Sequence, residues 1–460
     1  MQLIIGKNAN VNYLAKIINI EHFKAHSDPE VTKLKCAVID GFNIICGIDY
    51  EPGLYIYFPT GCCLNPDFLK YANLYKHSDM NADPKKSGMF EDNGRVKAIK
   101  LRGELSEGFI LPIIILENYI LSVTNIAIEC IVNTEFDMVE HDGKCFWINK
   151  KYIPKNHHEP RTYEKTAKQP KGLDKIIENQ FRFHYDTILI KKNPHVIKPN
   201  DLIHISEKVH GTSGISANVL CKIPRTWNAK AVAWLAKHIF RCRVIGDVDY
   251  YIDYDYLYSS RTVIKNKYYN KRVTDGFFGV DVWKHADNLI KPCLQKGMTV
   301  YYEIVGFLPN GGYIQKGYDY GCIPPKEGDT YQHGIHFKVM VYRVTLTNVA
   351  GNVHEFSARE VQQWCKFVGL TPVTEYYYGI ASELYPELNI DNHWNENFLH
   401  ALSNDKRFYM EMDSPTCNNR VPHEGIVIRN ENMKSEAFKL KCFKFLDKSQ
   451  RDENVDVDIN

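Results

Sequence analysis

Short stretches of alternating apolar and polar residues dominate the first third of the chain and predict β-strands. Lys33–Asp40 and Phe42–Ile48 alternate on either side of an Asp-Gly pair, which favours a tight hairpin turn. Leu54–Phe58 and Val96–Leu101 are two further predicted strands. Closely spaced strands of this kind are typical of a small barrel or sandwich, so we expect a β-rich unit over residues 1–149.

The longest apolar stretch, Phe109–Val132, is interrupted by Pro112 and by two glutamates and two asparagines. A membrane-spanning helix needs about 20 nearly uninterrupted apolar residues, so this stretch predicts buried strands instead. Met1–Asn10 lacks the apolar core of a secretory signal. We therefore expect neither a signal peptide nor a transmembrane segment.

The pattern changes at residue 150. Lys150–Lys171 holds seven basic residues, two acidic residues and three prolines without apolar periodicity, which indicates a linker or a mobile arm. Beyond it, strands and helices mix, and Asp174–Phe183 and Lys230–Phe240 have helical patterns. Ser357–Val368 predicts a helix more strongly, because it begins with a Ser-x-x-Glu capping box and is followed by glycine.

Composition narrows the class of protein. The 460 residues include 57 Lys or Arg and 55 Asp or Glu, which gives a formal charge of +2. Hydrophobic residues at 44% and charged residues at 24% exclude a disordered or strongly polyionic chain, and the length predicts two or three domains. Thirteen cysteines without a CxxC pair favour reduced thiols in a cytoplasmic or nuclear compartment over a disulfide framework.

One lysine has the surroundings of a nucleophile. Leu202–Leu220 predicts a loop between two strands, and the loop contains Lys208 in a Lys-x-x-Gly sequence. The same four-residue pattern occurs at Lys85, Lys100 and Lys366. The spacing alone therefore also fits a surface lysine beside a turn glycine. The Lys208 copy differs because Gly211 permits close backbone approach and two hydroxyl residues follow it.

Four later blocks each place charged residues on an apolar, strand-like run. They are Ser259–Thr262, Val300–Gly306, His423–Ile428 and Phe438–Lys441. A single block of this kind indicates only the solvent face of a strand. With the EKVHGTS sequence at Glu207–Ser213, however, the set resembles motifs I, Ia, III, IV and V of the covalent nucleotidyltransferases, which are ligases and capping enzymes. The residues of these blocks are most similar to those of RNA ligases.

Asn93–Glu104 also resembles the N-terminal region of the fifth RNA ligase family, in which an OB domain precedes the transferase domain. The resemblance implies an α+β fold with four parts. They are an N-terminal OB-like β-barrel at 1–149, a basic linker at 150–171, a mixed antiparallel-sheet nucleotidyltransferase domain (ATP-grasp-like, ligase adenylation type) at 172–446, and an acidic tail at 447–460. Capping enzymes and many DNA ligases resemble one another in carrying an OB domain after motif V. Only 19 residues follow Lys441 here, which disfavours both classes.

The resemblance implies an ATP-dependent RNA ligase that seals 3′-OH and 5′-phosphate ends through lysyl-AMP, with Lys208 as the nucleophile. A free lysine is only about 10⁻³ deprotonated near neutral pH, so we expect cations around it that favour the neutral amine. The implied ATP-binding residues are Glu207, Lys208, Gly211, Arg261, Glu303, Phe337, Glu424, Lys439 and Lys441. Glu303 and Glu424 would also hold Mg²⁺ or Mn²⁺, since these metals prefer carboxylates. Phe337 would stack on adenine; its other interpretation is a core aromatic.

One position departs from the family motifs, and one segment outside the motifs has the composition of a nucleic-acid-binding surface. His210 stands where many members of the superfamily have Asp, and some RNA ligases share the histidine. Tyr256–Thr274 carries five basic residues and interleaved tyrosines with no acid. Basic groups bind phosphates and aromatic rings stack on bases, so this segment and the Lys150–Lys171 arm are predicted to hold RNA. A solvated charged hairpin is the alternative interpretation of the segment.

Two other functions remain open on the sequence. A DNA ligase or an mRNA capping guanylyltransferase would use the same chemistry, and a non-catalytic OB-type RNA-binding protein would keep the fold without it. The complete set of Lys208, Glu303, Glu424, Lys439 and Lys441 argues against the non-catalytic alternative. The expected partner is RNA with a nick or a broken strand, with no membrane and no obligate protein partner.

Overall fold

The computed structural model describes residues 1–7, 9–153, 175–184, 187–265, 278–432 and 436–451. Most of the predicted basic linker and of the predicted acidic tail lies outside these residues. The described part has an α+β architecture built from several antiparallel sheets. None of its helices is both long and apolar enough to span a bilayer.

The N-terminal group of elements is mostly β, as the alternating pattern predicted. Its strands are β1 Gln2–Ile4, β2 Ala15–Ile20, β3 Lys24–Ala25, β4 Leu34–Ile39, β5 Phe42–Gly47, β6 Gly53–Pro59, β7 Cys62–Leu64, β8 Ala98–Leu101, β9 Glu104–Pro112, β10 Glu135–Phe136, β11 Met138–His141, β12 Lys144–Trp147 and β13 Asn149–Lys151. Its helices are α1 Pro66–Tyr71 and α2 Ile113–Thr124.

The predicted hairpin is confirmed. β4 and β5 pair in register up to Ile39 and Phe42, and the turn begins at Asp40, whose φ of 51° lies in the left-handed region. The five-stranded sheet of this group has the order β10-β2-β6-β9-β8, and β3-β4-β5 form a separate sheet. Within the described residues these sheets do not close into a single barrel.

The prediction of strands throughout Phe109–Val132 is wrong. β9 ends at Pro112, and α2 then takes Ile113–Thr124. Its buried residues are Ile113, Leu116, Tyr119 and Ile120, which lie on one helical face, and Asn125 ends the helix in the left-handed conformation. In a continuous apolar stretch, the periodicity of the sequence does not distinguish a buried helix from a buried strand. The boundary between strand and helix at Pro112 therefore could not be predicted from the pattern.

The C-terminal group holds the longer strands. They are β14 Ile188–Leu189, β15 Leu202–Glu207, β16 Thr212–Pro224, β17 Tyr250–Ser260, β18 Met298–Gly306, β19 Phe337–Thr347, β20 Val353–Glu355, β21 Thr371–Pro372, β22 Glu375–Ile380, β23 Gly425–Asn430 and β24 Glu436–Lys441. The helices are α3 Trp227–His238, α4 Val282–Ile290, α5 Ala358–Val368, α6 Ala381–Leu384, α7 Trp394–Asn404 and α8 Phe443–Arg451.

Two sheets organise this group. One has the order β14-β24-β23-β15-β22, and the other has the order β17-β16-β18-β19-β20 with β21 beside β19. The first sheet buries one face in an apolar cluster that includes Ile205, Ile428 and residues of α7 such as Phe398. Its other face is turned toward the second sheet.

The predicted helix at Asp174–Phe183 is wrong over its described part, 175–183, which contains no α-helix. Ile176 instead forms a β-bridge with Cys221 of β16, and Phe181 packs into the apolar cluster behind that strand. Tertiary contacts with β16 therefore override the weak local helical preference.

Helix α5 confirms the capping-box prediction. Ser357 and Glu360 exchange the reciprocal side-chain and backbone hydrogen bonds, and Gly369 ends the helix at φ 76°. Helix α3 is also present near its predicted position, but it packs unusually. It buries only Ala233, while Trp227 is 82% exposed, and the following Phe240 is 71% exposed.

The two groups of sheets contact each other beside β24. Lys191, which follows β14, forms an ion pair with Glu107 of β9 at 2.6 Å. Gln450 of α8 bonds to both the amide and the carbonyl of Ala98 in β8, at 2.7 and 3.0 Å. The strand that carries Lys439 and Lys441 is therefore held from both groups.

Candidate active site

A cleft opens between the two large C-terminal sheets, and strand register arranges its floor. On β15 and β23, His204 lies opposite Arg429 and Ser206 lies opposite Val427, while Lys439 of β24 lies opposite Val427. Since paired residues of neighbouring strands share a face, these side chains form one surface. The wall across the cleft includes Ser213, Arg261, Glu303 and Tyr342.

The predicted nucleophile stands at one end of this floor. The ammonium of Lys208 lies 2.7 Å from Oε1 of Glu424, and the ammonium of Lys441 lies 3.5 Å from the same oxygen. The backbone amide of Lys208 donates to the carbonyl of Gly425 at 2.9 Å, which fixes the start of the loop. The structure thus brings three predicted site residues together: Lys208 directly after β15, Glu424 directly before β23, and Lys441 at the end of β24.

Glu424 remains ionised in this setting. Burial opposes its charge, but the positive charges of Lys208 and Lys441 and a hydrogen bond from His210 outweigh burial and hold the pKa of Glu424 well below its usual range. His210 Nδ1 lies 3.5 Å from Oε2 of Glu424. The imidazole of His210 is packed edge-on between Tyr318 and Phe445 at centroid distances of 4.7 and 5.0 Å, which limits its movement.

Gly211 is required by close packing rather than by an unusual backbone angle. A Cβ at this position would lie 2.4 Å from the carbonyl oxygen of Ile304 and 2.8 Å from side-chain atoms of Glu303 and Val305. Gln315 donates to the carbonyl of Gly211 at 2.7 Å. The loop after Lys208 is therefore pressed against β18, the strand that carries Glu303.

Glu207 lies in the cleft with its carboxylate already engaged. Thr374 donates to one of its oxygens at 2.9 Å, and Thr416 donates to the other at 3.0 Å. Burial raises the pKa of Glu207, although both threonine hydroxyls oppose that shift. Glu207 thus ties β15, the strand before Lys208, to the segments before β22 and β23.

Two further predicted cationic residues line the same cleft as Lys208. Arg261, at the end of β17, lines the cleft opposite Lys439, and Lys439 is only 5% exposed. With Lys208 these residues concentrate positive charge in the cleft, and Lys441 adjoins it through Glu424.

The two predicted metal ligands, Glu424 and Glu303, could supply part of the coordination of a divalent cation. Oε2 of Glu424 is buried and, among the described residues, has only the long 3.5 Å contact with His210 Nδ1, so it keeps capacity to accept another bond. Glu303 lines the opposite wall. No group of three or more His, Cys, Asp or Glu side chains suitable for a metal occurs in the described part of the chain, so substrate oxygens would have to complete the coordination.

The structure does not bring Phe337 to the cleft. Its ring is 3% exposed, stacks on Tyr331 at 4.6 Å and belongs to the core behind β18 and β19. Tyr342, on the same strand, lines the cleft instead. The β18–β19 ladder pairs Tyr301 with Arg343 and Tyr302 with Val341, so Tyr342 is the extra residue of a β-bulge. Alternation from Met340 already puts Tyr342 on the cleft side, and the bulge adds Arg343 to that side before Val344 returns to the core.

Sequence reasoning also missed the far end of the cleft. His204 and Arg429 lie there on the floor, with Arg343 and Glu355 on the facing side, and Arg343 bonds to Glu355 at 2.7 Å. Burial, followed by the charge of Arg429, lowers the pKa of His204 to about 3, so the ring is neutral. The polar His204 and Ser206 alternate with Ile203 and Ile205, which was the available signal.

The predicted RNA-binding segments are described only in part. Residues 154–171 of the basic arm and 266–274 of the second segment lie outside the described residues. Within the described part, Lys265 is 8% exposed and its ammonium lies 4.0 Å from the ring centroid of Trp283. Lys265 is thus packed against the protein, whereas Arg261 faces the cleft.

Comparisons with known proteins identify a shared fold. No protein-family model and no curated protein matches the chain. The solved structure of Naegleria gruberi RNA ligase with PPi matches with a TM-score of 0.52 over 96% of this chain and 100% of that chain, at 13% identity. Mutants of that ligase, one with ATP and Mn and one with AMP and Mn, match with TM-scores of 0.51 over 95% of this chain and 99% of those chains, at 13% and 12% identity.

Proposed function

We propose that the chain is an ATP-dependent RNA ligase that joins 3′-OH and 5′-phosphate ends through lysyl-AMP and RNA-adenylate intermediates. The observation that carries the proposal is the contact of Glu424 with both Lys208 and Lys441 beside the cleft. It occurs in a fold that matches an RNA ligase along nearly the whole of both chains. The ATP, AMP, Mn and PPi bound to those ligases are the reactants, products and metal that the proposed chemistry uses.

In the first step, the Lys208 amine attacks the α-phosphorus of ATP, a nitrogen–phosphorus bond forms, and pyrophosphate leaves. The amine must lose its proton before attack. Because Glu424 stays ionised, its role is to orient the amine by the 2.7 Å contact rather than to store the proton. Lys439, Lys441 and Arg261 would stabilise the negative charge of the phosphates.

The rest of the cleft suits a nucleoside. Val427 on the floor and Tyr342 on the wall offer an apolar surface and an aromatic ring for adenine, and Glu303 is placed to contact the ribose or the metal. Bound Mg²⁺ or Mn²⁺, held by Glu424 and Glu303 together with phosphate oxygens, would supply Lewis-acid stabilisation of the transferred phosphoryl group. We propose no role at the adenine for Phe337.

The N-terminal sheets form the OB-like unit of this proposal, placed before a nucleotidyltransferase unit at 172–446. Their contacts with α8 and with Lys191 support a role in holding the lysine-bearing strand β24. All thirteen cysteines lie in the described residues as free thiols, which suits the reducing compartment that we propose.

The decisive experiment is transfer of label from α-³²P-ATP to the protein in the presence of Mg²⁺ or Mn²⁺. We expect labelling of the wild type and complete loss in Lys208→Ala. Lys366→Ala is the matched control, because Lys366 has the same Lys-x-x-Gly spacing on the exposed surface of α5 and should label normally. Label from GTP only would indicate a guanylyltransferase, and no label from either nucleotide would favour a non-catalytic RNA-binding protein.

A second assay addresses the nucleic acid. Nicked duplexes with RNA or DNA on the 3′-OH side are offered to the labelled enzyme. An RNA ligase should seal the RNA-ended nick faster. Equal or faster sealing of the all-DNA nick would contradict the RNA assignment and favour a DNA ligase.

A further inference from the structure

A long hairpin leads away from the cleft. β16 begins at Thr212 and Ser213, which line the cleft, and continues for 13 residues to Pro224. At about 3.3 Å per residue it extends about 40 Å from the site. β17 returns alongside it in unbroken register, from Tyr250 opposite Pro224 to Ser260 opposite Gly214.

The two faces of this hairpin differ in chemistry. Because side chains alternate along a strand, Tyr250, Tyr254 and Tyr256 share one face of β17, whereas Asp253 and Asp255 project from the other. The two acids are therefore kept away from the tyrosines. An anionic ligand on the tyrosine face would not meet them.

Each of these tyrosines is accompanied by a lysine. The ammonium of Lys222 lies 5.5 Å from the ring centroid of Tyr250, that of Lys296 lies 5.4 Å from Tyr254, and that of Lys291 lies 4.9 Å from Tyr256. We call these six residues the tyrosine–lysine face. Lys222 comes from β16, and the other two lysines come from the segment after α4, so separate parts of the chain converge on this face.

No carboxylate of the described residues forms a direct ion pair with the lysines of this face, although Lys291 interacts at longer range with the buried Asp287. Within the described residues, none of the three lysines has a carboxylate oxygen within 4.0 Å, whereas Lys230 and Lys237 of the neighbouring α3 pair with Asp249 and Asp247. Lys291 and Lys296 are exposed, and the tyrosine rings are half-buried. The face therefore offers aromatic rings and available positive charge together.

The tyrosine–lysine face lies on the side of the sheet away from the cleft, since Tyr256 packs with the cluster around α4 whereas Tyr342 lines the cleft, and β17 is the edge strand between the two sides. We propose that this face binds a single-stranded segment of the RNA substrate that passes around the edge strand, with phosphates on the lysines and bases against the tyrosines. This inference rests on the proposed function. Aromatic side chains on a sheet surface bind the bases of single strands, while cations follow the backbone. A lipid surface is disfavoured because the alternating lysines and tyrosine hydroxyls leave no continuous apolar area.

The test compares two triple variants. The first is Lys222→Glu, Lys291→Glu and Lys296→Glu, and the matched control is Lys326→Glu, Lys366→Glu and Lys406→Glu, which reverses three exposed lysines elsewhere. Affinity for 5′-phosphorylated, fluorescently labelled single-stranded RNA is measured over a range of salt concentrations. Adenylylation with ATP is measured without RNA.

We expect the first variant to bind RNA at least ten-fold more weakly and to lower the slope of log affinity against log salt by about two, since each phosphate contact on a single strand contributes about 0.7. Its adenylylation should stay within two-fold of the wild type, and the control should keep both properties. Unchanged RNA affinity and slope in the first variant would overturn the inference.

A second variant covers the case in which the charge reversals disturb folding. Tyr250→Leu with Tyr254→Leu keeps all charges and should weaken RNA binding at least five-fold, because stacking on each base is lost. Unaltered RNA affinity in this variant would contradict the stacking role. If the wild type binds RNA through this face but takes no label from ATP, the proposed function fails while the face stands.

Discussion

At the scale of single residues, the site depends on one carboxylate that is shared by two ammonium groups. Glu424 is 4% exposed and contacts both Lys208 and Lys441 through Oε1. Attraction at such short range compensates for the cost of burying the three charges only while all three are present. Removing the central charge leaves two lysines facing each other in a poorly solvated place.

Glu424→Gln should therefore lower the free energy of unfolding by about 3 kcal/mol at neutral pH. Urea unfolding followed by tryptophan fluorescence measures the change. The Lys441→Met variant and the double variant complete a mutant cycle, and we expect the two losses to be less than additive because they remove the same interaction. Strictly additive losses would show that Glu424 and Lys441 act independently.

Residue identity was predictable where a charged side chain stood on a regular strand. Lys208, Glu424 and Lys441 were all expected from their blocks, and the structure places them in contact. The aromatic residue of the cleft was not predictable, because alternation shows that Phe337 and Tyr342 lie on opposite faces of β19 but not which face borders the cleft. Sequence alternation assumes an unbroken ladder, and here the ladder is broken beside the site.

At the scale of elements, α8 is joined to the N-terminal sheets by a side chain whose two hydrogen bonds imitate those of a neighbouring β-strand. The amide group of Gln450 accepts from the backbone N–H of Ala98 and donates to its carbonyl, so it continues the edge of β8 as a neighbouring strand would. The pair joins residues 352 positions apart in the chain.

Gln450→Ala removes both hydrogen bonds and should destabilise this contact by about 2 kcal/mol, at about 1 kcal/mol for each bond. Hydrogen exchange followed by mass spectrometry should show faster exchange in the peptide that contains Ala98. Arg451→Ala is the control, because its ion pair with Asp447 is exposed and contributes little. Equal protection of that peptide in all three proteins would contradict the proposed role of Gln450.

Elements were predictable from sequence when their boundaries carried local signals. α5 has a capping box and a terminal glycine, and both are present in the structure. α2 has neither, since it begins directly after Pro112 within an apolar run and its end is set by Asn125. The helix that was predicted at Asp174–Phe183 is absent over 175–183, because packing of Phe181 behind β16 determines the conformation there rather than local helical preference.

At the scale of the whole molecule, buried neutral histidine makes stability depend on pH. His204 is enclosed near Arg429, Arg359 and Glu375, and burial, followed by the two arginines, lowers its pKa to about 3. In the unfolded chain its pKa is about 6.5. The unfolded state therefore binds the proton more readily, and stability that is fully present above pH 6.5 is lost as the pH falls toward 3.

The free energy of unfolding should decrease between pH 6.5 and 4.5, and about 2 kcal/mol of that decrease should disappear in His204→Phe. Urea unfolding at a series of pH values measures the slope in each protein. His22→Gln, at an exposed histidine, should retain the slope of the wild type. A slope in His204→Phe equal to that of the wild type would show that His204 is not buried as a neutral ring.

The order of the units along the chain was predictable, but their contact was not. The β-rich N-terminal sheets precede the larger sheets of the C-terminal group, as the patterning indicated. The contact depends on pairs such as Lys191 with Glu107, whose residues are 84 positions apart and carry no local signal. The near-zero net charge likewise concealed the available lysines on one face of the β16–β17 hairpin.

The tip of that hairpin has a consequence for how the chain can vary in length. Pro224 and Tyr250 are directly paired, so the 25 residues between them begin and end at neighbouring points of the sheet. A loop of two residues is sufficient to connect strands at that separation. Since α3 buries little more than an alanine, we expect that the segment at this tip can be shortened or exchanged while the cleft stays intact.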